Sequence, residues 1–515
     1  MPDQPPLLEL PEGCTAVPAV EECDGGAKKY IHIDRQQMVM RTVDVENLIS
    51  ADHKARGIWE LVGKLELSSF ERRIQSSEGK AGRSGWPPRL LISVWVYGYS
   101  ENISSARELA RMMEHEPGLS WLAGLGRINH HTLSDFRVGC RTELDKLFTQ
   151  VLVALDEASI ISLERVMHDG TKIRARAGSS SFRREKTVEE KLARVREMVE
   201  QDPQVHGSRQ QQKAQERAQH ERSERVEEAL KQLEQIRNSC RTPEQRERAR
   251  VSVSEPEARI MKHGDGAFAP SYNVQISTEA RCGVIVGVDL TQKAEDSAAL
   301  DAAMTEVKKN FGREPKQVIA DGGFTNQQTV EKMEERGIDF IGSLRDPQER
   351  SEAAMKSAGI DPKYAPHFFI LQPETDTLCC PAGKPLRYVR QSLKGDRRYR
   401  QYQADSADCS RCEHQPRCCP KSASEGRTVS RLEQEPEIMA RFRSKMASEE
   451  AQAAYGQRGA IAEFPFAVLK ERFGLRKFRV FGMIKARTEA VWACLTYNLM
   501  IWSRVLRAPT SAPAA

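Results

Sequence analysis

Apolar residues along the chain follow two different periods, and the change between them divides it. From about residue 43 to 160 they recur at helical spacing. Leu90, Leu91, Val94, Trp95 and Tyr97 give an apolar face behind Pro87-Pro88, a pair that suits a helix start. Ser104-Ser105 is placed to cap a helix from Ala106 to Met113. Thr132 is placed to cap a helix through Leu133, Phe136 and Val138, with Arg137 and Arg141 facing outward, and Leu144 to Ile161 repeats the helical period. Beyond residue 161 the apolar runs shorten. Val166-Met167-His168 ends in Asp169-Gly170 and Val318-Ile319-Ala320 ends in Asp321-Gly322, so each reads as a buried strand that delivers one carboxylate. Ser271 to Ile276 and Gly283 to Val288 read as an antiparallel hairpin. Ser297 to Asn310 and Asn326 to Arg336 read as helices, and Phe340 to Gly342 as a last strand.

Three strands, then helix, strand, helix, strand is the order of an α/β fold with a ribonuclease H-like mixed sheet. Sequential placement in that sheet sets the ends of the Asp169 and Asp321 strands side by side. Two stretches interrupt it. Val188, Leu192, Val195 and Val199, then Val226, Leu230 and Leu233, keep heptad spacing on either side of the nearly all-polar Gln204 to Ser223. That pattern predicts an inserted helical hairpin over 185–250. A basic, cysteine-rich insertion follows over 344–439. The expected domains are a disordered tail at 1–42, a helical N-terminal DNA-binding module at 43–160, the α/β catalytic domain at 161–343 and 440–507 carrying both insertions, and a disordered tail at 508–515.

Composition narrows the class without naming it. The chain has 515 residues, 39% hydrophobic, with 78 basic and 73 acidic side chains for a net charge of +5. That balance implies no nucleic-acid partner by itself, so local clusters must decide. The longest apolar tract, Val491 to Trp502, is too short to span a membrane, and no N-terminal apolar segment reads as a secretory signal. Twelve cysteines without such a signal favour reduced thiols or metal ligands over disulfides, and a cytoplasmic chain.

Two strand-end aspartates invite a third acid. Crowded carboxylates repel, and a hard cation relieves them, so the cluster argues for Mg²⁺. Two such ions about 4 Å apart can clamp the attacking and leaving oxygens of a phosphoryl transfer. Glu463, Glu471 and Glu489 all lie on helical segments. Glu463 is favoured by the pattern Tyr455-x2-Arg458-x4-Glu463-x6-Lys470, in which a seven-residue spacing puts Glu463 and Lys470 on one helix face, with Pro465 in the first turn.

From residue 45 to 502 the chain resembles bacterial insertion-sequence transposases of the DDE class, in the insertion-sequence 1182-like group of the insertion-sequence 4/5 superfamily. The resemblance is carried by Gly98-Tyr99, Ser104-Ser105-Ala106-Arg107 and Asn129 to Arg137. It continues through Asp169-Gly170-Thr171-Lys172, Tyr272-Asn273-Val274-Gln275, Ala320-Asp321-Gly322-Gly323-Phe324, the Tyr455 to Lys470 pattern and Tyr497-Asn498-Leu499. Relatives often place the arginine and glutamate of that pattern one residue closer, and often carry Asp and a small residue where His130-His131 stand. The resemblance implies Asp169, Asp321 and Glu463 as catalytic residues holding two Mg²⁺, with Mn²⁺ able to substitute. It also implies Tyr455, Arg458 and Lys470 as DNA contacts.

The cysteines Cys379-Cys380 and Cys409-x2-Cys412-x5-Cys418-Cys419 offer more thiols than one tetrahedral zinc needs, with His414 as a further candidate. Cys380, Cys409, Cys412 and Cys418 resemble the family's spacing best as Zn²⁺ ligands; a metal-free knot of thiols is the other reading. Between them Lys384, Arg387, Arg390, Lys394, Arg397, Arg398 and Arg400 interleave with Tyr388 and Tyr399, against Asp396 alone. Segregated positive charge with aromatics is a nucleic-acid footprint, so Arg397 and Arg398 join Arg137 as expected DNA contacts. The expected activity is binding of an element's terminal repeats, cleavage there and transfer of the 3′ end into target DNA, by a homodimer on double-stranded DNA with no membrane partner. A hydrolysis-only nuclease on the same fold and an inactive DNA-binding repressor are the rival readings.

Overall fold

The computed structural model describes residues 36, 38, 40, 42–74, 84–200, 209–240, 242–293, 298–344, 355, 357–372, 374–394, 397–420, 425–433 and 436–507. The tail expected at 508–515 and nearly all of that at 1–42 lie outside them. Contacts divide the chain into Met1–Asp44 and Val45–Ala515, and the second unit carries every element below. No helix among the described residues is long and apolar enough to cross a membrane.

The architecture is mixed α/β. Strands β1 (Arg165–Arg174), β2 (Phe182–Arg183), β3 (Val251–Ser252), β4 (Arg259–Lys262), β5 (Phe268–Glu279), β6 (Ile285–Thr291), β7 (Gln317–Ala320) and β8 (Asp339–Gly342) appear in chain order. Six of them form one sheet in the order β4-β5-β1-β7-β8, with β6 also on β5. β5 runs antiparallel to β1 and to β6, while β1, β7 and β8 are mutually parallel. The parallel strands β7 and β8 are each reached through a helix, Ala299–Phe311 and Gln327–Glu335, as a parallel crossover requires. Edge strand β4, with the sequence Arg-Ile-Met-Lys, is short and alternates too weakly for the apolar pattern to reveal it.

The N-terminal helices Lys54–Gly63, Pro88–Ser100, His130–Gly139 and Arg141–Glu157 share one apolar core with the sheet, running from Ile49 to Leu499. The helix Met483–Arg507 joins the two. Trp492 Nε1 donates to the Arg137 carbonyl (3.1 Å), and the Asn498 side chain accepts from Ile285 N (2.9 Å) and donates to Ile285 O (2.8 Å). The start of the His130–Gly139 helix differs from expectation. Asn129, not Thr132, caps it, its side chain accepting from His131 N at 2.8 Å.

The arm is present as helices Glu185–Glu200 and Arg209–Ser239 around a core of their own, formed by Val188, Leu192, Val226, Ala229, Leu233 and Val251. The β2–β3 ladder closes its base. The expected heptad positions Val195 and Val199 have side chains outside the described residues. Over 370–432 a second sheet forms that the apolar pattern does not announce: β9 (Ile370–Gln372), β10 (Thr377–Cys379), β11 (Pro385–Lys394), β12 (Arg397–Ala404) and β13 (Thr428–Leu432), in the order β13-β12-β11-β10-β9. Its core is Phe369, Leu378, Leu386, Tyr402, Ala404 and Val429.

One helical expectation is corrected. Pro465 is not in a first turn, because its helix begins at Arg458 and ends at Ala467. Proline has no N–H for the Ile461 carbonyl, and the chain leaves the regular helix through a π turn at Val468–Arg472. That wider turn breaks the phase on which a shared face for Glu463 and Lys470 depends.

Candidate active site

Asp169 and Asp321 are brought together by register. The parallel pairing of β1 with β7 ends at His168 opposite Ala320; Asp169 is the next residue of β1, and Asp321 directly follows the end of β7. Asp169 Oδ1 accepts from Gly170 N at 2.8 Å and Asp321 Oδ1 from Gly323 N at 2.7 Å. A Cβ on Gly323 would stand 2.9 Å from that same Asp321 oxygen, so the Asp-Gly-Gly turn needs glycine to fold onto the carboxylate. Asp169 Oδ2 faces the guanidinium of Arg458 at 3.2 Å.

Beneath the pair lies His168, hidden in the sequence as one member of an apolar run. Its Nδ1 meets Ser277 Oγ at 3.0 Å, its Nε2 meets Gln275 Oε1 at 2.9 Å, and its ring stands edge-on to Phe324 at 4.9 Å. Complete burial pushes its pKa down to about 4, against the pull of Gln275 and Asp321, so it is neutral. A polar residue inside an apolar strand, beside the acid, is the signal that could have found it.

Lys470 donates to Thr171 Oγ1 from the π turn. Burial lowers its pKa, the Arg476 charge adds to this, and Glu471 and Asp169 oppose it. Tyr455 packs against the small cluster of Met167, Ile319 and Ile341 under the acidic pair, with the Arg458 guanidinium 5.9 Å above its ring. Glu463 is different. It is exposed, and among the described residues no three Asp, Glu, His or Cys side chains are grouped to hold a metal ion. The reason is helical phase. Residues five apart on an α-helix are separated by about 140°, so the turn that aims Arg458 at Asp169 aims Glu463 elsewhere. The donor set present therefore fits a hard cation at Asp169 and Asp321, with Arg458 now standing on one of the oxygens, and leaves Glu463 outside it.

Arg137 is corrected. It does not face outward: its side chain is 4% exposed, donates to Ser104 O at 2.8 Å, and lies 4.6 Å over the Trp95 ring. Its nearest carboxylate is Glu489 at 3.7 Å, itself 1% exposed. The helix carrying Arg137 mixes polar and apolar residues on every side, so its inner face cannot be told from spacing; a guanidinium inside the core has no reach to a base edge. The same burial removes Glu489 as a candidate third acid.

Arg398 is exposed on β12, and no described contact joins it to the acidic pair; the side chain of Arg397 lies outside the described residues. Cys380, Cys409, Cys412 and Cys418 line one cavity of ≈ 30 Å³, with Cys419 and His414. Backbone N–H groups of Lys384 and Arg427 donate to the sulfurs of Cys380 (3.2 Å) and Cys409 (3.3 Å). Burial pushes Cys418 up to about 12, with Arg427 opposing and the neighbouring thiols reinforcing it.

Residues 379–501 match a family model described as Transposase DDE domain, and residues 43–139 match one described as Transposase domain. The first includes Tyr455, Arg458, Glu463 and Lys470; neither includes Asp169 or Asp321. No curated protein matches the chain significantly. Among solved structures, one titled "Cryo-EM structure of piggyBac transposase synaptic complex with hairpin DNA (SNHP)" is similar at 9% identity, over 90% of this chain and 82% of that chain, with a TM-score of 0.24. A score of that size does not establish a common fold.

Proposed function

We propose that the chain is a DDE-class DNA transposase whose α/β domain is ribonuclease H-like, with Asp169 and Asp321 as its first two acids. The observation that carries the reading is the β1–β7 register, which makes the two aspartates neighbours at the point where the strands part. Three antiparallel strands beside two parallel ones, in the order β6-β5-β1-β7-β8, support the ribonuclease H-like reading, and matches to transposase domains on both sides support the class.

Asp169 and Asp321 would hold Mg²⁺, with Mn²⁺ able to substitute; Glu463 is kept as the third acid on its sequence pattern alone, since its side chain stands exposed and outside the pair. Bound ions supply charge neutralisation and activation of the attacking oxygen. The chain's own groups do the rest. Arg458 holds Asp169 as a placeholder cation and can turn to a phosphate when that carboxylate is otherwise engaged. Lys470, anchored on Thr171 two residues beyond Asp169, offers a second charge to the same strand of DNA. His168, neutral and fixed by Ser277 and Gln275, keeps the strand from rotating under the acid. A homodimer on double-stranded DNA follows from the need to bring two element ends together. The thiol cavity is a structural site in this reading: Cys380, Cys409, Cys412 and Cys418 line it without being grouped for a metal in this structure, and would have to draw together to hold Zn²⁺; the chain works in the cytoplasm.

The test is a duplex ending in the element's own terminal repeat, incubated with the protein, Mg²⁺ and a second DNA. Nicking at the repeat boundary and transfer of that 3′ end into the second DNA are expected. Asp169→Asn, Asp321→Asn and Glu463→Gln should each abolish both steps and leave binding intact. Nicking without joining would identify a nuclease. The outward Glu463 favours one rival, an inactive DNA-binding repressor, which predicts tight binding and no cleavage by the wild type.

A further inference from the structure

On the side of the molecule reached by the far end of β1 there is an open cleft of ≈ 460 Å³, walled by the helical module and by the irregular segment Lys477–Val480. Arg107, His130 and His131 stand on the first wall; Arg176, Lys477 and Arg479 stand on the second. Among the described residues no Asp or Glu lines it. The four Lys and Arg side chains are exposed, and among the described residues none forms an ion pair with a carboxylate. Buried Arg137 in the floor faces the Glu489 carboxyl at 3.7 Å.

This positive charge is held in shape. Phe478 N donates to the Arg174 carbonyl at 2.9 Å, and Lys477 bridges Arg174 in parallel, so the second wall is tied alongside the end of β1. Arg176 lies 4.7 Å over the Phe481 ring, and Arg479 Nε reaches Ser104 Oγ on the opposite wall at 3.4 Å. His130 and His131 lie with ring centroids 4.2 Å apart at the first turn of their helix. Like charges are not gathered and fixed in a cleft at no cost unless an anion shares them, and four cations along two walls match a polyanion better than a single ion.

We propose that this cleft seats the sugar–phosphate backbone of a DNA duplex, in register with the acidic pair, whose Asp169 lies on β1. From Asp169 to Arg174 a β-strand advances about 17 Å at roughly 3.3 Å per residue. Duplex DNA advances about 3.4 Å per base pair, so the cleft holds phosphates about five base pairs from the one presented to Asp169 and Asp321. The contacts read backbone and no base, and the segment that follows the first acid measures the distance to the cut. The placement rests on the transposase reading; the binding itself does not.

The experiment uses the full chain and a 40-base-pair duplex of random sequence, with affinity measured from 50 to 200 mM salt. Lys477→Gln and Arg107→Gln should each flatten the slope of log affinity against log salt by about 0.9, and the double variant by about 1.8. Lys316→Gln, at the opposite end of β1, should leave it unchanged. Slopes equal to wild type in both cleft variants, with folded protein verified by circular dichroism, overturn the proposal whatever the outcome of the joining assay. For the placement, neutral methylphosphonate linkages are moved along the cognate end. Those about five base pairs from the nick should weaken the wild type and leave Lys477→Gln indifferent. An equal loss in both proteins overturns the register and spares the transposase reading.

Discussion

Residue by residue, burial separates two arginines that look alike in the sequence. Arg458 keeps its carboxylate partner at the surface of the site, where a phosphate could displace it; Arg137 is sealed in. Its partner Glu489 is over-buried for what it receives: Oε1 has no hydrogen-bond partner, and 3.7 Å is too long for one to Arg137. Burial therefore holds the Glu489 carboxyl above the usual range, although Arg137 and the Arg479 backbone N–H pull the other way. A carboxyl with a raised folded pKa keeps its proton longer in the folded state than in the unfolded chain. Raising the pH from about 4.3 through the folded value then costs stability. Wild type should lose stability relative to Glu489→Gln as pH climbs through that interval, read by chemical denaturation; a growing advantage for wild type would show a depressed carboxyl instead. Glu489→Ala leaves Arg137 charged and alone, and should cost about 3–5 kcal/mol at neutral pH. The aspartates are legible in the sequence because an acid ending an apolar strand has few other uses. Arg137 is not, since a polar residue on a mixed helix gives no sign of which side the core takes.

At the level of elements, long periodic segments are readable and short or interrupted ones are not. The helices at 88–100 and 141–157, the hairpin β5–β6 and the strands ending near Asp169 and Asp321 all follow from apolar spacing. The five strands β9–β13 do not, because β11 and β12 alternate arginine and glutamine with tyrosine and valine, and that reads as a charge run. Pro465 misleads in the opposite direction: proline marks a helix start more often than a last turn, and the π turn that follows it has no spacing signature. The arm gives the cleanest test at this scale. Its apolar residues contact one another, and β2 and β3 bring Arg183 opposite Val251. Replacing residues 184–250 by Asn-Gly closes that ladder as a two-residue hairpin. The shortened protein should stay soluble and keep its thermal midpoint within a few degrees. Aggregation on expression would mean that the arm covers apolar surface of the main domain. The thiol cavity can be tested beside it: protein purified without chelator should carry about one zinc, and Cys412→Ser should lose the metal together with stability.

For the whole molecule, what matters is that the helical module and the sheet share one core rather than meeting at a surface. Met483–Arg507 ties them, with Trp492 reaching the module and Asn498 the sheet. Asn498 is completely buried and supplies both hydrogen bonds that β6 lacks at Ile285, one accepted and one donated. Leucine, with the same branched skeleton but no polar atoms, would in its place leave a buried N–H and a buried carbonyl without partners, each costing about 1–3 kcal/mol. If the module were a separate domain hung on the sheet, Asn498→Leu would melt the sheet alone, and two transitions would appear. A shared core predicts otherwise. Tryptophan fluorescence and far-ultraviolet circular dichroism of the whole should fall together, in one transition displaced by a few kcal/mol from wild type. The consequence reaches function, because the cleft between module and sheet keeps its width only while the two move as one body. A variant that splits the transitions should also lose the salt-dependent contacts of Arg107 and Lys477 together, before it loses the register of Asp169 with Asp321.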